Sequence, residues 1–195
     1  MKDYEVKFEK STKEHIEMVN RFARKLGLEF PEHDSDKLTT LFKGYSLMAK
    51  EDRTAEEQRL VDTATYFHVT TQNHHPEKHS DADLTGFSRS NPIPNGPIDV
   101  SKMPEDAILE MLCDWCSMSV KFNNTPFEWF SAQKDSRWIF SKEQENFILD
   151  TLKTLWDSKD EILNYKYECS LDLGYCINYD NKNNCSSCKR GKQLN

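Results

Sequence analysis

The sequence predicts an all-α protein, and three observations support that class. Apolar residues recur at intervals of three and four positions in several long segments, which is the spacing of an amphipathic helix. No segment shows the alternation of apolar and polar residues that a half-buried strand requires. Capping patterns of the Ser-x-x-Glu type stand at the start of two periodic segments. We therefore expect a helical bundle around a single core.

The first three helices follow from this spacing. The first is predicted to begin at Ser11, three residues before Glu14, and to end at Gly27, with His15 on its first turns. The chain then turns at Pro31, and a second helix takes its apolar positions from residues 38–51. A third helix is predicted over residues 56–72.

The second half of the chain begins with a long loop. Residues 73–104 are rich in Pro, Gly, Asn and Ser, and a loop of this length inside a domain tends to be functional or disordered. A fourth helix is predicted over residues 104–122, with Pro104 at its first helical position. The last strong helix is predicted over residues 141–163, with Ser141 and Gln144 as its capping pair.

Length and charge limit the classes of function. A chain of 195 residues suits one domain, predicted over 1–164, with a Cys-rich tail over 165–195. Its net charge of −7 argues against a broad nucleic-acid or anionic membrane surface, but leaves room for a small anionic substrate in a local positive pocket. No apolar run approaches the roughly 18 residues of a membrane-spanning helix. The N-terminal stretch lacks the apolar run of a signal peptide, so we expect a cytoplasmic product.

The histidines indicate a metal site. A single histidine in a helix is usually a surface or hydrogen-bonded core residue. Here three predicted helices each carry a histidine toward one end, and Asp114 lies beside an apolar stripe, where an unpaired carboxylate would be costly. A shared metal explains both features. All the histidines stand at or before residue 79: His15, His33, His68, His74, His75 and His79.

The adjacent pair His33 and Asp34 fits such a site. An imidazole fills one coordination position, whereas a carboxylate has two oxygens and can bridge two ions. Lys37 follows one helical turn later, so its ammonium could reach an anionic group bound over the metal. By itself Lys37 would be read as a solvated surface lysine.

The stretch NHHPEKH, residues 73–79, is the second dense group. We favour His68 and His75 as ligands of a second ion, because Pro76 biases His75 toward an extended conformation that turns the loop back toward the helix of His68. His74 stays open as the alternative to His75. Glu77 is either a proton-transfer group or a loop carboxylate.

These residues resemble the H…HD…D pattern of the HD-domain superfamily of metal-dependent phosphohydrolases, at His15, His33-Asp34 and Asp114. The stretches HDSDKL, HVTTQNHHPE and MPEDAILEMLCDW are similar to the HDxSK, HxxxNxHHPE and MP…EMxxDW blocks of an uncharacterised phage and bacterial family of HD-like proteins. The resemblance covers about residues 11–155. Asp36 departs from it, because those relatives often have Ser there, and the Lys78-His79 pair replaces an aromatic residue.

The resemblance implies an HD-domain-like helical bundle and a phosphohydrolase that cleaves a phosphoester or phosphoanhydride, with a nucleotide as the favoured substrate. It implies one or two divalent ions, of Mn, Fe, Mg, Zn or Co, and places a phage-encoded product in the host cytoplasm. One ion would be held by His15, His33, Asp34 and Asp114, and another by Asp34, His68 and His75. Lys37 would steady the nonbridging oxygens of the substrate.

Two other functions stay open at this point. An HD-fold diiron oxygenase would use a similar set of histidines and aspartates. A noncatalytic module would bind a nucleotide or a protein without turnover. The sequence leaves the oligomeric state open, a homo-oligomer included.

The cysteines of the tail predict a structural zinc site. The C-x2-C half of the pattern is typical of zinc knuckles, whereas the C-x6-C half is looser, and a redox-active or disordered tail is the alternative. Cys113 and Cys116 on the fourth helix are better explained as small buried residues. The predicted zinc ligands are Cys169, Cys176, Cys185 and Cys188.

Overall fold

The computed structural model describes residues 1–164, and this part of the chain is mostly helical, which confirms the all-α class. Two 3-10 turns, Ser46–Ala49 and Pro76–His79, and two strands of two residues each, β1 (Ile98–Asp99) and β2 (Trp138–Ile139), join the helices. The helices are α1 (Asp3–Lys25), α2 (Ser35–Leu38), α3 (Phe42–Tyr45), α4 (Ala55–Thr71), α5 (Glu105–Phe122), α6 (Pro126–Gln133), α7 (Lys142–Asp157) and α8 (Lys159–Asn164). None of these helices is both long and apolar enough to cross a membrane.

Helix α1 begins at Asp3, so the predicted start at Ser11 was wrong. The backbone N–H of Lys2 donates to the Glu5 carboxylate at 2.7 Å and closes the first turn. The added turns carry Phe8, which is buried against Tyr45. This tertiary contact stabilises a stretch that shows no apolar stripe by itself.

The predicted second helix is broken into α2, α3 and the turn Ser46–Ala49. Thr39 leaves helical geometry after α2, with φ −124° and ψ −99°. Helix α3 then approaches α4 so closely that a Cβ on Gly44 would lie 2.5 Å from the Ala64 Cβ. The close contact between these two helices therefore requires glycine at this position.

Local signals placed α4, α5 and α7 well. The Thr54 hydroxyl accepts from the Glu57 backbone N–H at 3.2 Å, which caps α4. The predicted cap of α7 is present, with the Ser141 hydroxyl accepting from the Gln144 N–H at 3.2 Å. Pro104 is the N-cap of α5 rather than its first helical residue.

One further expectation about the second half was wrong, whereas the predicted loop over residues 73–104 is irregular for most of its length. Helix α7 ends at Asp157 instead of continuing to residue 163, and α8 follows as a separate helix. The long loop is pinned to the segment after α6, because the backbone N–H of Ile98 donates to the Arg137 carbonyl at 3.0 Å in a parallel strand pair. Helix α6 was not predicted, although Thr125 and Glu128 form a capping box at its start.

The core lies where α5 packs against α1 on one side and α7 on the other. Contacts divide the chain into a unit of Met1–Lys159 and a second unit that begins at Asp160. The predicted zinc ligands of the tail fall outside the described residues. The largest fully buried apolar side chains of the three core helices are Val19, Phe22, Ile108, Met111, Leu112, Ile148, Leu152 and Leu155.

Candidate metal centre

Residues from five segments meet in one cluster beside the core. His15 stands in the middle of α1, several turns from its start, rather than on its first turns as predicted. The cluster is otherwise built from the turn before α2, from α4, from the loop after α4 and from α5. Its candidate ligands are His15, His33, Asp34, His68, His74, His75 and Asp114.

Asp34 lies at the centre of the cluster. Its backbone is left-handed, with φ 56° and ψ 12°, a conformation that Asp tolerates better than most residues. The side chain is 1% exposed, and its two oxygens face different neighbours. Oδ2 lies 3.4 Å from His15 Nε2, whereas Oδ1 lies 3.2 Å from His68 Nε2. A buried carboxylate in this position can bridge two cations.

The first group of candidate ligand atoms surrounds Asp34 Oδ2. His15 Nε2 lies 3.0 Å from Asp114 Oδ1 and 3.3 Å from His33 Nε2. His33 Nε2 lies 3.9 Å from both Asp34 Oδ2 and Asp114 Oδ1. One ligand atom from each of His15, His33 and Asp34 lies within 4.8 Å of the others, so these three residues could hold one ion, and Asp114 Oδ1 lies beside both imidazole nitrogens.

The second group surrounds Asp34 Oδ1. His68, His74 and His75 each bring a ring nitrogen to within 4.8 Å of the others, and His74 Nε2 lies 3.6 Å from Asp34 Oδ1. His68 Nε2 and His75 Nε2 are buried without a hydrogen-bond partner. An orphaned buried polar atom costs about 1–3 kcal/mol, so this arrangement fits a bound cation.

The structure thus brings both His74 and His75 to the second group. Sequence reasoning treated them as alternatives. His79, the remaining competitor, points elsewhere, since its Nε2 lies 2.8 Å from the Asn73 carbonyl oxygen.

Outer hydrogen bonds orient the ligand rings. Nδ1 of His33 lies 2.9 Å from Glu110, and Nδ1 of His68 lies 2.8 Å from Asp36. Nδ1 of His15 lies 3.0 Å from the Ser117 hydroxyl, which can donate as well as accept. An oxygen acceptor at Nδ1 assigns the proton to that nitrogen and leaves the Nε2 lone pair for a metal.

Sequence reasoning missed these outer residues as partners of the histidines. Glu110 stands four residues before Asp114, which places both carboxylates on one face of α5 and could have indicated it. Asp36 was noticed only as a departure from the resembled family. The contact of the Asp36 carboxylate with His68 gives this residue a physical role, which is to orient the His68 ring.

The electrostatics keep the carboxylates ionised. Burial raises the pKa of Asp34, but Lys37, His33 and His68 outweigh it and hold the pKa well below its usual value. Burial also raises the pKa of Glu110, but its contacts with two histidines outweigh burial and lower the pKa to about 2. Ionised carboxylates are the forms that bind metal.

Lys37 and His75 also adopt suitable charge states. Lys37 Nζ lies 2.7 Å from Asp34 Oδ2, and this carboxylate raises the pKa of Lys37 even though burial lowers it. Burial, followed by the neighbouring His74 and His68, lowers the pKa of His75 well below its usual value. His75 is therefore neutral at pH 7, as a metal ligand must be.

Glu77 is anchored beside the cluster by Arg137 and Trp138. Its Oε1 accepts from Arg137 Nη2 at 2.8 Å and from the Trp138 indole at 3.0 Å. The residue is 3% exposed, and Oε2 has no hydrogen-bond partner but lies 4.0 Å from His75 Nδ1. Glu77 therefore contacts the second group through His75.

The cluster opens into a cavity of about 680 Å³. Although the whole chain is acidic, the described residues that line this cavity include only two acids, Asp34 and Asp114, both within the cluster. The other charged side chains in the lining are all basic. The basic side chains are Lys7, Lys37, Arg89, Lys121 and Arg137.

Fold and site together define a mostly helical protein with a buried histidine and aspartate cluster suited to metal ions. The chain belongs to a family of unknown function, DUF5662, which matches residues 4–154. This range contains every residue of the cluster. No curated protein and no solved structure matches the chain.

Proposed function

We propose that this protein is a metal-dependent phosphohydrolase of the HD type that cleaves a phosphoester or phosphoanhydride, with a nucleotide as the favoured substrate. One observation carries the proposal. The two oxygens of the buried Asp34 carboxylate face two separate groups of imidazole nitrogens, 3.4 Å and 3.2 Å away at His15 and His68. This is the arrangement expected of a binuclear site with a bridging carboxylate.

The donor set also restricts the metal. His15, His33, Asp34 and Asp114 would hold one ion. The other would be held by Asp34, His68 and one or both of His74 and His75. A set this rich in imidazole suits Mn, Fe, Co or Zn better than Mg, which prefers oxygen ligands and retains its waters.

Such ions, when bound, supply an acidified water and neutralise negative charge on a phosphoryl group. Among the protein's own groups, Lys37 provides a protonated ammonium beside Asp34, in the same cavity. We assign it to the nonbridging phosphate oxygens, where charge increases in the transition state. Asp34 and Asp114 stay ionised and balance the ions.

The cavity rim supports an anionic, nucleotide-like substrate. Lys7, Arg89 and Lys121 line it, and none of them forms an ion pair with a carboxylate of the described residues. Phe122 and Trp129 also line it and are 63% and 38% exposed, so their rings are free to stack on a base. The rim thus offers cations for phosphates and aromatic surfaces for a flat ring.

The test is a hydrolysis screen with metal-loaded protein. The full chain, stripped with chelator and reloaded with Mn, Fe, Co or Zn, is incubated with nucleoside mono-, di- and triphosphates, and the products are separated by chromatography. We expect metal-dependent release of phosphate or pyrophosphate that Asp34→Asn abolishes. Retention of a nucleotide without turnover by the metal-loaded protein would support a noncatalytic binding module instead.

One observation also favours a second candidate, a diiron oxygenase. Four or five imidazoles with bridging and terminal carboxylates suit iron as well as they suit manganese or zinc. That function predicts visible-light absorption by the iron-loaded protein and consumption of oxygen in the presence of an oxidisable substrate. A colourless protein that hydrolyses phosphate esters with Mn or Zn excludes it.

A further inference from the structure

One carboxylate contacts both groups of candidate ligands from outside. Glu110 Oε1 lies 2.9 Å from Nδ1 of His33, in the first group, and 3.2 Å from Nδ1 of His74, in the second. The two rings are neighbours, with centroids 4.2 Å apart. The Glu110 side chain is only 14% exposed, so water competes weakly for its oxygen.

We propose that Glu110 is a positioning residue shared by the two metal sites, and that its carboxylate couples the loading of one ion to the loading of the other. The proposal rests on the metal centre of the proposed function. It concerns neither the nature of the substrate nor the reaction.

The physical basis is the orientation of the imidazole rings. An imidazole binds metal through Nε2 when its proton is on Nδ1, and a carboxylate acceptor at Nδ1 fixes both the tautomer and the ring plane. His33 already has this hydrogen bond. His74 Nδ1 is at ion-pair distance from the same oxygen but is not aligned for a hydrogen bond, so a rotation of the ring completes it.

Coupling follows from the sharing of one oxygen. An ion that holds the His33 ring in place also holds the Glu110 oxygen in place through the hydrogen bond between them. The same oxygen orients the His74 ring. The His74 ring is then partly oriented before the second ion binds, so binding of that ion requires less further ordering. Linkage makes the effect reciprocal, so the second ion also favours the first.

The other outer residues provide matched comparisons, because each forms a hydrogen bond with a histidine of one group only. Asp36 contacts His68, in the second group, at 2.8 Å. The Ser117 hydroxyl contacts His15, in the first group, at 3.0 Å. Loss of either should therefore affect one ion, whereas loss of the Glu110 carboxylate should affect both.

The experiment is a metal titration of the chelator-stripped full chain with Mn²⁺ and with Zn²⁺. Calorimetry gives two dissociation constants, and elemental analysis after desalting gives the number of ions retained. His15→Ala and His68→Ala, which each remove a ligand from one group, identify which constant belongs to which group. The outer variants are Glu110→Ala, the near-isosteric Glu110→Gln, Asp36→Asn and Ser117→Ala, with circular dichroism to verify their helical fold.

We expect Glu110→Ala to weaken both sites about 10- to 100-fold and Glu110→Gln to weaken both by less, because the amide oxygen still accepts a hydrogen bond. Asp36→Asn should weaken only the second site, and Ser117→Ala only the first. Two intact sites in Glu110→Gln, or a loss confined to one site, would overturn the coupling while leaving the metal centre in place. A wild-type chain that binds no ion would overturn the metal centre and the coupling together. Two coupled ions without hydrolysis would contradict only the proposed reaction.

Discussion

Oδ1 of Asp34 lies 3.2 Å from Nε2 of His68, and both atoms are buried without a hydrogen-bond partner. Most buried polar atoms in proteins are paired, so an adjacent pair of unsatisfied acceptors calls for a physical explanation. A cation between them provides one. The same carboxylate turns its other oxygen toward His15 and Lys37.

The first prediction concerns Asp34 itself. Asp34→Asn should lose most of both ions and all hydrolytic activity, because a neutral amide cannot bridge two cations. Asparagine tolerates the left-handed backbone at this position, whereas Asp34→Ala adds about 1–2 kcal/mol of conformational strain. Metal content by elemental analysis and phosphate release by colorimetry measure the two losses.

The matched control is Asp150→Ala, which removes an exposed carboxylate of α7 outside the cavity. It should retain both ions and full activity. An active Asp34→Asn variant would refute the assignment of the site.

The second prediction resolves the roles of His74 and His75. Each substitution to alanine should reduce the content of the second ion while the first ion stays bound, because the structure brings both rings to His68, and His74 also to Asp34 Oδ1. His79→Ala is the matched control, since its ring bonds to the Asn73 carbonyl instead. Full metal content in His75→Ala would leave His74 as the ligand and contradict our preference from the sequence.

The third prediction separates two roles for Glu77. As the buried anchor of Arg137 and Trp138, it should act mainly on stability, and breaking a buried ion pair costs about 3–5 kcal/mol. Glu77→Gln should therefore lower the midpoint of thermal unfolding and weaken the second ion through His75, with the first ion retained. A proton-transfer role predicts the opposite pattern, with normal metal content and stability and a large drop in kcat.

The fourth prediction tests the basic rim. Lys121→Glu and Arg89→Glu should raise KM for an anionic substrate roughly tenfold with little change in kcat, because these side chains line the cavity but lie outside the ligand cluster. The effect should shrink as ionic strength rises. Lys153→Glu makes the same charge change on an exposed position of α7, so an equal rise in KM there would point to net charge rather than to the rim.

The sequence predicted what depends on short-range patterns. The cap at Ser141, the helical spacing of α4 and the apolar stripe of α5 are local, and the structure has them. The N-terminal turns of α1 depend on the packing of Phe8 against Tyr45, which no local pattern contains. The predicted helix over residues 38–51 had the apolar residues of one helix, but the backbone leaves helical geometry at Thr39, and α3 then packs closely on α4 at Gly44.

In the candidate site, too, local patterns predicted some residues, whereas others depend on tertiary contacts. Histidine and aspartate patterns identified the residues that now surround Asp34. The contacts of Glu110, Asp36 and Ser117 depend on how rings are oriented across segments far apart in the chain, and spacing alone does not encode that. Adjacent His74 and His75 could not be separated because the loop folds both rings inward.

The most direct test of the metal centre is elemental analysis of the full chain after chelator treatment, reloading and desalting. The comparison includes Asp34→Asn and a Cys185→Ala/Cys188→Ala variant, which separates any zinc in the tail. We predict two ions per chain from the helical centre, both lost in Asp34→Asn and both retained in the cysteine variant. Metal content unchanged by Asp34→Asn, or no uptake of any ion, would contradict the binuclear centre and with it the proposed hydrolase.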